Sequence, residues 1–318
     1  MASKLPSAPK PPERSFKILL DSWLDEAGRR TRPKTMAGYR LLAKDIEALV
    51  ETATPKPDAV RLTRDDVSQM LRAFDDRPTT KWHIRKAMRL VMDQAVAKGW
   101  RLDNPVIGVK LKMPTSTVRI WEQADVDAHA WAAVWVGQPW VAALILTEWE
   151  IGQRLTDCVL LTRALRPGAV GYDASCGMFR FHQSKTADGE GGGYVTIQVS
   201  EYLREVLAGC LVKGSPYLFH DGATGRPFAD VDRLSHVFEE VRALVLASGN
   251  WRHLVLRALR HSCVVQLARA GCTVPEIASI TGHSIQTVAK MLTVYLPRDS
   301  VVALNAQRKR GLVAGEAS

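Results

Sequence analysis

The chain has 318 residues, 46% of them hydrophobic and 24% charged, with a net charge of +10. That is long for one compact domain and comfortable for two, and the basic balance admits nucleic acid as a partner without requiring it. No apolar run is long enough to span a membrane. Residues 1–14 carry lysines and prolines but no apolar stretch of the kind a secretory signal needs, and they read as a disordered leader. The five cysteines (Cys158, Cys176, Cys210, Cys263, Cys272) are scattered, with no C-x-x-C pair. This excludes a zinc ribbon and a disulfide scaffold and fits a reducing cytoplasm.

From residue 15 to 109 the pattern is helical throughout. Phe16, Leu19, Leu20, Trp23 and Leu24 recur at helical spacing. Thr35 is placed to cap a second helix carrying Tyr39, Leu42, Ile46 and Leu49, which Pro55 and Pro57 end. Thr63 and Asp66 form a capping-box pair ahead of Val67, Met70 and Leu71. A fourth helix, from Thr80 to Lys98, has the apolar stripe Ile84, Met88, Val91 and Ala95. Its other faces hold Lys81, Arg85, Lys86 and Arg89. These four are candidate phosphate contacts, although a solvated helix face explains them equally well. Asn104-Pro105 closes the unit.

Residues 110–119, with lysines, Pro114 and several Ser and Thr, suit an extended linker. A second domain then runs from 120 to 304. Val141 to Leu146 reads as a buried helix, and Trp131, Trp135, Trp140 and Trp149 as core. The period changes to two at Met178–His182 and Tyr194–Val199, and the intervening segment is rich in glycine. This predicts an antiparallel β-hairpin. The rest of the domain is helical, and residues 305–318 form a polar tail. The fold class is therefore mainly α with a small antiparallel β-sheet.

Breaking a phosphodiester without a metal needs a nucleophile, fixed cations for the charge that develops on the non-bridging oxygens, and a proton for the leaving oxygen. The second domain holds such groups in order. Arg154 follows a helix and a glycine, with Asp157 one turn on to face it. Lys185 sits at the hairpin tip. Arg257 and Arg260 share a helix face in Arg257-Ala258-Leu259-Arg260-His261, whereas His261 points elsewhere and reads as structural. Gly282-His283 follows, then Tyr295-Leu296-Pro297-Arg298. Arginine suits the clamp because its planar fork binds phosphate oxygens and stays charged.

This series resembles the catalytic set of the tyrosine recombinases, the phage-type integrases: arginine, hairpin lysine, an H-x-x-R segment, G-H, then tyrosine. The helical unit ending in Trp100-Arg101-Leu102-Asp103-Asn104-Pro105 is similar to their core-binding domain. The resemblance covers residues 15 to 299. It implies a site-specific recombinase that needs neither metal, ATP nor other cofactor. Arg154 and Arg260 would clamp the scissile phosphate, with Asp157 orienting Arg154. Lys185 would protonate the 5′ oxygen, and His283 would bond a non-bridging oxygen. Tyr295 would form a 3′-phosphotyrosine.

The implied setting is cytoplasmic and nucleoid-associated. The partners would be double-stranded DNA with inverted-repeat core sites, a homo-tetramer working through a Holliday junction, and accessory bending or directionality proteins. Two departures stand out. Arg257 occupies the usual histidine position of H-x-x-R, where it can contact phosphate but not accept a proton at neutral pH. The step from His283 to Tyr295, twelve residues, is also a little longer than the family's usual one, which an extra helical turn would absorb, and delivery of Tyr295 in cis or in trans is left open. A type IB topoisomerase shares the chemistry, a non-catalytic relative would bind DNA without forming an adduct, and a helical adaptor would leave the five side chains apart in space.

Overall fold

The computed structural model describes residues 14–53, 57–114, 118–164, 169–182, 194–228, 230–297 and 299–311. The chain divides into two units, Met1–Ser116 and Thr117–Ser318. Among the described residues no helix is long and apolar enough to cross a membrane. The residues read as a disordered leader are, apart from Arg14, outside the described set.

The first unit holds α1 (Phe16–Arg30), α2 (Pro33–Thr52), α3 (Arg64–Leu71) and α4 (Pro78–Ala97). Ser15 caps α1 by accepting from the Ile18 amide. Thr63 and Asp66 complete the expected capping box on α3. Thr35 does not cap α2: the helix begins two residues earlier at Pro33, whose fixed φ suits a first helical position. Ile84, Ala87, Met88, Val91, Met92 and Ala95 form the buried stripe of α4. They pack with Leu19, Trp23, Ile46, Val67 and Leu71 in one core. Asn104 does more than end the unit. Its amide donates to the Arg89 carbonyl (2.9 Å) and to Asp93 (2.6 Å), while its Oδ1 accepts from the Val106 amide (2.9 Å), so it ties the exit of the chain to α4.

The second unit is helical with a small antiparallel sheet. Its elements are α5 (Gln123–Trp135), α6 (Pro139–Ile151), the short α7 (Leu155–Cys158), β1 (Gly171–Asp173), β2 (Met178–His182), β3 (Tyr194–Gln198), α8 (Glu201–Gly209), β4 (His220–Asp221), β5 (Arg226–Pro227), α9 (Val231–Ala247), α10 (Leu259–Arg269), α11 (Val274–Thr281), α12 (Ile285–Tyr295) and α13 (Ser300–Lys309). The predicted hairpin is β2–β3, registered Met178 against Gln198 through His182 against Tyr194. It is extended by β1 into a three-stranded sheet, and β4–β5 adds a second short pair.

The middle of α6, Val141 to Leu146, is buried on every face. Trp121 anchors the entry to the unit. Its amide donates to Ser262 Oγ (2.9 Å), its indole N–H donates to the Val255 carbonyl (3.2 Å), and its ring lies against His129 and Phe238. Two of the tryptophans read as core are not core. Trp131 and Trp135 stack on each other at 5.3 Å on the outer side of α5, 66% and 70% exposed. Trp140 and Trp149 are half-buried against the core.

The boundary expected at residue 304 falls inside α13, so the helix runs on through the start of the predicted polar tail. Asp299 caps α13 and pairs with Arg269 of α10 (3.0 Å), which also holds Glu122 (2.8 Å). Asn305 donates to the Arg269 carbonyl. A small cluster of Val264, Ile277 and Val288 locks α10, α11 and α12 together.

Candidate active site

The site is built where α6 ends. Gly152 takes the left-handed conformation (φ 55°) and its amide returns to the Glu148 carbonyl at 2.9 Å. A Cβ at this position would lie 2.7 Å from Cys263 Sγ and 3.2 Å from Thr281 Cγ2, so only glycine lets α6 close against α10 and α11. The Gly152 carbonyl accepts from Arg260 Nη1 (3.0 Å). One residue thus turns the chain toward Arg154 and anchors Arg260.

Arg154 caps the N-terminal end of α7 in extended backbone, and Asp157 lies 3.7 Å from its guanidinium, the pairing expected from their spacing. Arg260 is 7% exposed. Burial, with Arg154 nearby, pulls its pKa down to about 10, so it stays charged at neutral pH. Its Nε–H donates to His283 Nε2 (3.0 Å). His283 therefore carries its proton on Nδ1 and donates it to Thr281 Oγ1 (2.9 Å), whose hydroxyl donates to the Ile277 carbonyl (2.7 Å). Burial, and then the charges of Arg260, His261 and Arg154, push the His283 pKa down to about 3, so the ring is neutral.

Arg154, Arg260 and His283 thus act on one another, although they come from three separate stretches of sequence. The geometry differs from expectation for His283. With Nε2 accepting from Arg260 and Nδ1 donating to Thr281, neither nitrogen is left to bond a phosphate oxygen in this arrangement. The ring is instead bonded to the Arg260 guanidinium.

Tyr295 is the last residue of α12, and one continuous helix spans most of the long step from His283. Its ring meets the His261 ring edge-on, with centroids 5.9 Å apart. Burial raises the phenol pKa, opposed by the Val118 backbone amide. Among the described residues, no arginine is among the groups acting on it. His261, read as structural and turned away, lies against the tyrosine and also acts on His283 of the cluster. Its own pKa is lowered by burial and by the charges of Arg260 and Arg257.

Arg257 is set in a different environment from Arg260. It lies in a 3-10 turn, Leu256–Ala258, before α10, and its side chain is exposed where Arg260 is buried. Lys185 lies outside the described residues.

The four basic residues of α4 belong to the first unit and are unlike one another. Lys86 and Arg89 are exposed, and Lys86 sits over the Trp82 ring (5.6 Å). Arg85 is half-buried, and Lys81 is paired with Asp75.

Sequence reading also missed Glu148. This carboxyl is 1% exposed on α6, and burial pushes its pKa up to about 8. The signal available was an acidic residue inside a helix otherwise buried on all sides. Chemically, two held guanidiniums suit an oxyanion such as a phosphate, with Arg154 the more open of the two cations.

No family model and no curated protein matches the chain. Solved structures do. One is a lambda integrase dimer bound to a COC′ core site, at a TM-score of 0.67 and 18% identity over 94% of this chain and 80% of that one. Another is a lambda integrase tetramer bound to a Holliday junction, at 0.72 and 17% over 87% and 76%. A third is the Tn1549 transposon integrase in complex with a circular intermediate DNA, at 0.72 and 15% over 94% and 100%. At these identities the likeness is one of fold.

Proposed function

We propose that this chain, which has the tyrosine recombinase fold, is a site-specific DNA recombinase that cuts and rejoins strands through Tyr295. The observation that carries the reading is the convergence of Arg154, Arg260 and His283 on one spot, with Tyr295 lying against His261, which also acts on His283.

In this reading the Tyr295 oxygen attacks the scissile phosphorus as it loses its proton. The bond to the 5′ oxygen breaks, Lys185 gives that oxygen a proton, and a 3′-phosphotyrosine remains. One ester replaces another, so the bond energy is kept and no nucleotide cofactor or metal is called for. A 5′-hydroxyl from the partner strand reverses the step and completes the exchange. Arg154 and Arg260 meet the charge that grows on the non-bridging oxygens. Asp157 steadies Arg154, and His283 steadies Arg260. Because the phenol is protonated at neutral pH, its proton leaves to a water molecule as the attack proceeds, since Arg257 cannot accept it.

The partners in this reading are two DNA duplexes carrying inverted-repeat core sites, bound by four copies of the chain through a Holliday junction. Accessory proteins would bend the DNA or set direction. Lys86 and Arg89 of α4 would add salt-dependent phosphate contacts. The test is a nicked suicide duplex carrying candidate sites. A covalent protein–DNA adduct is expected, and Tyr295→Phe should leave none. An adduct that persists in that variant overturns the choice of nucleophile. A plasmid carrying two sites should recombine; relaxation of single-site plasmids without recombination would assign the chemistry to a topoisomerase instead.

A further inference from the structure

The floor beneath the cluster holds two buried polar atoms that no hydrogen bond accounts for. Arg260 uses Nε on His283 and Nη1 on the Gly152 carbonyl, yet its Nη2 is buried with no acceptor. Glu148 Oε1 is buried with no donor. One is a donor and the other an acceptor, on α10 and α6, two helices that pack together, and the two side chains attract each other electrostatically. Such atoms are rare in a folded interior, where nearly every polar group finds a partner.

The charge state of Glu148 follows from its surroundings. The carboxyl is closed off from water, and an ionised form there needs a partner or several hydrogen bonds. The groups acting on it come from α7 and α10. They are the Cys158 thiol, whose hydrogen bond to the carboxyl favours ionisation, Arg260, which favours it without forming an ion pair, and the Asp157 carboxylate, which opposes it; burial outweighs the first two. Cys263 of α10 feels the carboxyl in turn. From α5, α8 and β4, which also pack on α6, no charged group is among those acting on it.

We propose that Glu148 is a positioning residue for Arg260, working as a neutral carboxylic acid. Its Oε1 serves as the acceptor for Arg260 Nη2 when the guanidinium settles on a phosphate. Because the acid is neutral, it fixes the plane of the guanidinium and leaves the positive charge uncancelled. A carboxylate in the same place would hold Arg260 as firmly but neutralise it. The inference rests on the reading of Arg260 as a phosphate cation, whereas the protonation state of Glu148 can be measured without it.

Three measurements on the full chain test it. In a carboxyl 13C NMR titration, one glutamate signal absent from Glu148→Gln should titrate far above the ordinary glutamate value, with a midpoint near about 8. The sign for stability follows: the folded chain holds this proton more tightly than the unfolded one. Its contribution is full below 4.5 and is lost as pH rises toward about 8. The melting temperature of the wild type should therefore fall relative to that of Glu148→Gln across this window. In the adduct assay at neutral pH, Glu148→Leu, which has no acceptor, should form covalent complex about tenfold more slowly. Glu148→Gln, neutral and still an acceptor, should recover most of that rate.

A signal that titrates at the ordinary value overturns the proposal. So does a Gln variant as slow as the Leu variant in a chain that still melts cooperatively. If no adduct forms with any variant while the NMR titration stands, the functional reading fails and the neutral acid remains.

Discussion

The basic face of α4 and the arginine pair of the second unit both present positive charge, and they do so by opposite means. Lys86 and Arg89 are exposed side chains on a helix whose other face makes the core. Arg154 and Arg260 are held by Asp157, His283 and the Gly152 carbonyl, and Arg260 is nearly buried. An exposed cation is cheap to place, is screened by salt and is easily replaced. A buried one has lost most of its hydration and is kept only by specific neighbours. In exchange it acts on whatever enters the site with little screening. The first arrangement suits attraction along a length of DNA; the second suits one phosphate.

The largest expected effect comes from breaking the held pair. Arg260→Ala should lower the rate of adduct formation by about 10²–10³-fold, measured in single turnover on the suicide duplex. Arg260→Lys should recover little of it, because an ammonium lacks the planar fork that reaches His283, Gly152 and a phosphate oxygen from one side chain. If Lys restores the rate, the site uses only the charge of Arg260 and its network is incidental.

Next is the turn that supports the pair. Gly152→Ala forces a side chain into the left-handed region and against Cys263, which should cost about 3 kcal/mol in denaturant unfolding. An unchanged midpoint would mean that α6 and α10 can part without penalty. The smallest effects belong to α4. Lys86→Ala and Arg89→Ala should each weaken duplex binding by about 1 kcal/mol or less and reduce the salt dependence by about one counterion. Lys81→Ala should do less still, since Asp75 already pairs with it. Equal losses at Lys81 and Lys86 would erase the distinction between tied and free cations on that helix.

What could be read from sequence follows the same division. The stripe of α4, the Thr63–Asp66 box and the β2–β3 hairpin were legible because each is a local pattern with a fixed period or a fixed offset. The start of α2 was misplaced because Pro33 outranks Thr35 as a beginning. β1 escaped because three residues cannot display an alternation. Trp131 and Trp135 were assigned to the core because an aromatic on a helix says nothing about which neighbours will cover it; here none of the described residues does.

At the site, Arg154 beside Asp157, and Arg260 with His283, were foreseeable as residues. The bond from Arg260 to His283 was not, since it runs from α10 to the connection between α11 and α12 and depends on how three helices close. His261 was set aside because it adjoins Arg260 on a helix, where neighbours diverge by about a quarter turn or more. On a helix covered on several sides, both directions lead to something.

Tyr295 stands at the last position of α12, where carbonyl groups have no amide ahead of them to bond. Unwinding there gives up few internal bonds, and each residue that changes from helix to extended chain roughly doubles its reach, from about 1.5 Å to about 3.3 Å. The phenol thus stands on the most weakly bonded turn of its helix, with Asp299 fastened to Arg269 a few residues on, while the guanidinium fastened to Gly152 is fixed by the interior.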